Sequence, residues 1–176
     1  MSRQQARLPH QIDPFRLAEA GSHLSGKLPL RQFKRLAEVL SDNSGELAVA
    51  LEFDVDELGV PVVRGNIQAT LMLTCQRCLE AFAFPVDIRI ALAWVRTEQD
   101  ADRLPLRYEA YLVEEIPLQL NDMIEDELLL ALPQIPMHQA SACPASKLLK
   151  QQDDGADESE QQANPFAVLA KLKHDE

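Results

Sequence analysis

Residues 67–94 read IQATLMLTCQRCLEAFAFPVDIRIALAW, and the fold turns on this stretch. In its first part Ile67, Ala69, Leu71 and Leu73 recur at every second position. In its last part the even positions, from Phe82 through Phe84, Val86, Ile88, Ile90 and Leu92 to Trp94, are all apolar, while Asp87 and Arg89 point the other way. A period of two marks a strand that buries one face. Two such strands joined by a short segment pair most simply as an antiparallel hairpin. The segment TCQRCLE, residues 74–80, is then the hairpin connection or its rim. Pro85 has no N–H, so the first part of the second strand belongs on an edge or at a bulge.

The period of two extends upstream. In ELAVALEFDVDE, residues 46–57, Leu47, Val49, Leu51, Phe53 and Val55 alternate with smaller or charged residues, which predicts another half-buried strand. ELGVPVVRGN, residues 57–66, reads as a Gly–Pro turn region. Further upstream the period becomes helical. IDPFRLAEAG, residues 12–21, predicts a short helix with Asp13 as N-cap, Pro14 in the first turn and Gly21 as the left-handed stop. LPLRQFKRLAEVLSDNSG, residues 28–45, predicts a second helix from Pro29, with Leu30, Phe33, Leu36, Ala37 and Leu40 on one face.

Downstream, residues 97–111 read as a polar loop, and AYLVEEIPL, residues 110–118, as a return to the sheet. LNDMIEDELLLALP, residues 120–133, predicts a third helix, apolar along Leu120, Met123/Ile124, Glu127/Leu128 and Ala131, acidic in its first turns and ended by Pro133. Residues 150–163 are polar, acidic and Gln-rich, and predict a disordered linker. Residues 164–176 predict a short amphipathic C-terminal helix with Asn164 as cap and Phe166, Leu169 and Leu172 as its stripe, docking either in cis or on a partner. The expected architecture is α+β: one domain over residues 1–149, with an antiparallel β-sheet, open or barrel-like, flanking helices, and an acidic flexible C-terminal tail.

Composition sets the class. The 176 residues are 46% hydrophobic and 26% charged, as in an ordinary globular protein. The N-terminus MSRQQARLPHQIDPF has no apolar core of a secretory signal, and no apolar run approaches a membrane span, so a cytoplasmic protein without a membrane partner is expected. Net charge is −11, which disfavours a naked RNA or DNA binder, since such affinity comes largely from Lys and Arg on phosphates. The charge is uneven. Residues 1–36 hold Arg3, Arg7, Arg16, Lys27, Arg31, Lys34 and Arg35 against Asp13 and Glu19, whereas residues 109–127 hold seven acids and no base. A basic N-terminal face and an acidic face are one reading; two solvated surfaces are the other.

Cys75, Cys78 and Cys143 are odd in number and predict no disulfide framework. A Cys-x-x-Cys on a β-turn lets two thiolates converge on one tetrahedral ion. The partners available are His138 and Cys143 in MHQASACP, residues 137–144, which complete a Cys₃His set for one structural zinc. Small buried thiols are the alternative. A redox dithiol needs a helix N-terminus after the pair, and the pattern there is a strand. Glu125, Asp126 and Glu127 are the carboxylates a Mg²⁺-dependent nuclease would use, but consecutive helical residues diverge by about 100°. A solvated helix start explains them more simply. Gly-rich phosphate loops, serine nucleophile elbows and HExxH motifs are absent from the sequence.

Four landmarks, LTCQRCLEAF (residues 73–82), EDELLLALPQIPMH (residues 125–138), Cys143 and NPFAVLAKLK (residues 164–173), together resemble the YceD family of large ribosomal RNA subunit accumulation proteins. The resemblance covers most of the chain. It implies a role in synthesis, processing or stability of 23S rRNA, and no established enzymatic activity. It also implies a second Cys-x-x-Cys in many members, where this chain has Cys143 alone with His138 nearby. The acidic charge and an rRNA role are reconciled if the main partner is a basic large-subunit ribosomal protein or an assembly factor, with limited rRNA contact by the basic N-terminal face. The alternative from a different class is a metal-dependent ribonuclease acting on precursor rRNA.

Overall fold

The structure is a computed structural model, and it describes residues 8–145. The expected linker at 150–163 and the C-terminal helix at 164–176 lie outside the described residues. The described residues fall into two compact units divided after Met137.

The first unit is built on the anticipated hairpin. Strands β3 (Glu46–Val55), β4 (Pro61–Thr74) and β5 (Ala81–Val95) form an antiparallel meander, with β4 and β5 in register from Val62 opposite Ala93 to Thr74 opposite Ala81. Alternation decides which face is buried. Leu47, Val49, Leu51, Phe53, Val63, Ile67, Leu71, Leu73, Val86, Ile90, Leu92 and Trp94 all face the core. Each such side chain contributes roughly 1.5–3 kcal/mol when fully buried. Gly65 sits in the inward series of β4, and a methyl there would overlap the Ala50 carbonyl oxygen of the adjacent strand. The residue is glycine because the strands coil too closely for any side chain.

Two edge strands complete the five-stranded order β2-β3-β4-β5-β6. Strand β2 (His23–Pro29) pairs antiparallel with β3, and β6 (Glu109–Leu112) pairs parallel with β5. The sheet is open, which corrects the barrel-like alternative. Its first and last strands stand at opposite ends of the order, and helices rather than further strands cover its inner face. Helix α1 (Pro14–Glu19) packs on β3 and β4, while α4 (Leu120–Ala131) packs on β5 and on α2 (Lys34–Val39). Short strands β1 (Gln11–Ile12) and β7 (Leu118–Gln119) pair separately just ahead of α1 and α4.

Helix α1 follows its sequence signals. Asp13 Oδ1 accepts the Arg16 N–H at 3.1 Å, and Gly21 at φ 58° closes the end, where Ser22 N–H donates to Leu17 O and Gly21 N–H to Ala18 O. The second predicted helix is broken. Its first part is strand β2 and a 3₁₀ turn at Leu30–Gln32, and α2 starts only after the extended Phe33. The apolar positions were nevertheless the right ones: Leu30, Phe33 and Leu36 are all fully buried. Strand β4 also begins at Pro61, six residues before Ile67, so most of the expected turn region is strand. The polar loop contains a short helix, α3 (Glu98–Ala101), capped by Thr97.

Candidate metal centre and acidic face

The Cys-x-x-Cys sits in the connection between β4 and β5. Cys75 N–H donates to Glu80 O at 2.9 Å, closing the loop, and Leu79 N–H turns back to Cys75 O at 2.8 Å. Leu79 holds φ at 63°, a left-handed conformation that costs a non-glycine residue about 1–2 kcal/mol. Non-glycine strain of this kind concentrates at ligand clamps and functional turns. The segment after α4 docks here within the first unit. Gln76 N–H donates to Pro136 O at 2.9 Å, and the Arg77 guanidinium lies 3.5 Å from Met137 Sδ.

In the second unit, Ala142 and Cys143 both donate their N–H to Gln139 O, at 2.9 and 3.1 Å, forming a tight turn. The expected ligand atoms of Cys75, Cys78, His138 and Cys143 all lie within 4.8 Å of one another. Thiolates about 2.3 Å from a tetrahedral ion stand about 3.8 Å apart, so this spread suits one ion. Cys75 and Cys143 are fully buried, and Cys78 and His138 half-buried. No disulfide joins the cysteines. The sequence did not reveal the Pro136 pin, which is a backbone bond with no side-chain signature.

The carboxylates of α4 have separate fates. Glu125 is buried at 5% exposure, which corrects the expected solvated helix start. Its Oε1 accepts the Leu36 N–H at 3.0 Å, capping α2 from another element, since Phe33 supplies no side-chain cap. Its Oε2 accepts Arg35 Nε at 2.9 Å, and Arg35 also reaches Asp126 at 2.7 Å. The two charge blocks expected to form distinct faces thus meet at Arg35. Lys27 also has a carboxylate near it, Glu46 at 3.9 Å.

Glu127 is half-buried, and its carboxyl is pushed above the usual glutamate range by burial first, then by the charges of Glu109 and Asp126. Burial likewise raises the Tyr111 phenol, with Asp126 and Asp122 adding to it. Elsewhere, Asp56 in the β3–β4 turn accepts N–H bonds from Val60 and Leu58, each at 2.9 Å, and pairs with Arg107. These bonds, the one from Val60 foremost, hold its carboxyl below the usual aspartate range.

Among the described residues, no helix is long and apolar enough to cross a membrane. Residues 63–173 match the family model described as large ribosomal RNA subunit accumulation protein YceD. A curated Haemophilus influenzae protein of that same description is 35% identical over 173 residues, covering 97% of this chain and 98% of the relative. No solved structure matches the chain.

Proposed function

The chain belongs to the YceD family of large ribosomal RNA subunit accumulation proteins, and from that membership we propose that it is a non-catalytic biogenesis factor acting in the cytoplasm on the large subunit. In this reading it supports synthesis, processing or stability of 23S rRNA. The observation that carries it is the full-length similarity to a protein named for rRNA accumulation. The charge distribution supports action through protein contacts. The acidic face between Glu109 and Glu127 suits a basic large-subunit ribosomal protein or an assembly factor. Arg16, Arg31 and Lys34 are left exposed on the N-terminal part for a limited rRNA contact.

One structural zinc held by Cys75, Cys78, His138 and Cys143 is part of the same proposal, supported by the ligand set and its spacing. The ribonuclease alternative would require Glu125 and Asp126 to hold a catalytic ion, and Arg35 already engages both. The deciding experiment is the ratio of 23S to 16S rRNA in cells lacking the gene. A fall in the ratio, restored by the wild-type chain, is expected; an unchanged ratio would overturn the reading.

A further inference from the structure

We propose that the outer edge of β6 and the groove between β6 and α4 bind an extended cationic peptide segment as an additional β-strand. The inference rests on the reading above that this face meets a basic protein, and it identifies the docking element and the pattern it accepts. The first observation is the edge itself. β6 ends the strand order, and three of its four residues are exposed. Val113 N–H donates to Val95 O at 2.9 Å. Backbone direction alternates along a strand, so the amides of Glu109 and Tyr111 also face β5. Those of Ala110 and Leu112 then face outward, available to a new strand.

The second observation is the groove beside that edge. Leu92, Ala110 and Tyr111 line it from the sheet, and Leu129 and Leu130 from α4, with Leu130 78% exposed. Its rim carries Glu109, Asp126 and Glu127. Charge complementarity selects the occupant, because Asp126 is already paired with Arg35 and an apolar strand alone would leave Glu109 and Glu127 beside each other without a cation. Glu109 and Tyr111 are two residues apart and share the inward face of β6. A segment in register would set a Lys or Arg against Glu109 and Glu127, and an apolar residue two positions away against Tyr111 and Leu130.

The test uses the full chain and a labelled ten-residue peptide of the repeat Lys-Thr-Leu-Thr, which sets Lys and Leu alternately along one strand face, read by fluorescence anisotropy and by backbone amide shifts. A control peptide of the same charge carries Pro at alternate positions and cannot form strand bonds. Two variants serve. Ala110→Pro removes an outward N–H while sparing the bonds to β5, a change that sheet edges tolerate. The double change Glu109→Gln with Glu127→Gln removes the charge, and thermal unfolding checks that both variants fold. The expected result is binding of the alternating peptide with shifts centred on β6 and α4, weakened at least about tenfold by either variant and by Pro in the peptide. Equal binding of the Pro peptide, or shifts centred elsewhere, would overturn the proposal and mark the contact as simple polyelectrolyte attraction. Failure of the peptide with a normal fall in 23S rRNA on gene loss sinks only this inference. Peptide binding with an unchanged rRNA ratio sinks only the biogenesis reading.

Discussion

Cys75 is fully buried beside a turn whose Leu79 is held left-handed, and the zinc proposed above would account for both features at once. A tetrahedral ion there would fix the backbone after the second cysteine, and its metal–thiolate bonds would offset the cost at Leu79. Protein purified without chelator is therefore expected to carry about one zinc per chain by elemental analysis. Cys75→Ser should lose it, and chelation of the wild type should lower its melting temperature by several degrees, of the order expected for loss of a structural ion. Metal-free native protein whose melting temperature ignores chelator would sink the zinc reading. The cluster of Cys75, Cys78, His138 and Cys143 was legible in the sequence because cysteine and histidine are scarce and chemically distinct. The strain at Leu79 was not, since leucine is an ordinary residue at an exposed turn.

At the scale of elements, Glu125 joins α4 to α2 across 89 residues of sequence, capping the Leu36 N–H and pairing with Arg35. Glu125→Ala leaves a buried N–H without its acceptor and is expected to cost about 2–3 kcal/mol. Glu125→Gln keeps an acceptor and should cost about half as much, because Arg35 is largely exposed and its ion pair is worth little. Urea unfolding of the two variants decides the matter; equal losses would mean that charge, not the cap, stabilises α2. This tertiary cap also shows where sequence reading stops. Alternation in β3 and β5 was legible because one face is apolar throughout and buried at Leu47, Val49, Leu51 and Phe53 in β3 and at Val86, Ile90, Leu92 and Trp94 in β5. Strand β2 was not, because an edge strand reading HLSGKLP buries only Leu28 and carries Ser25, Gly26 and Lys27 where a pattern is sought. The 28–45 helix was expected as one piece because Leu30, Phe33 and Leu36 have helical spacing. A 3₁₀ turn followed by a shifted helix buries the same three residues, and apolar spacing alone cannot tell the two apart.

The whole molecule carries a net charge of −11, and its acidic groups respond to pH in opposite senses. Asp56, whose carboxyl is depressed mainly by the Val60 N–H, contributes stability above the ordinary aspartate range that is lost as pH falls through its folded value. Glu127 behaves the other way. Burial and the charges of Glu109 and Asp126 raise its folded pKa, so the native state binds a proton more readily than the unfolded chain. Stability from this group rises as pH falls from neutrality through the raised value. It levels off below the ordinary glutamate range, where both states are protonated. Because Glu127 is only half-buried, screening keeps the effect small, about 1–2 °C in melting temperature. Glu127→Gln imitates the protonated form, so it should be slightly more stable than wild type at pH 7, with the gap closing on acidification. Melting curves of both proteins between pH 8 and pH 4 give the comparison. A gap that stays constant with pH would show that Glu127 titrates alike in folded and unfolded chains. A cationic partner in the β6–α4 groove should also lower the Glu127 pKa, so an added basic peptide should abolish the acid-side gain of the wild type and leave the variant's profile unmoved.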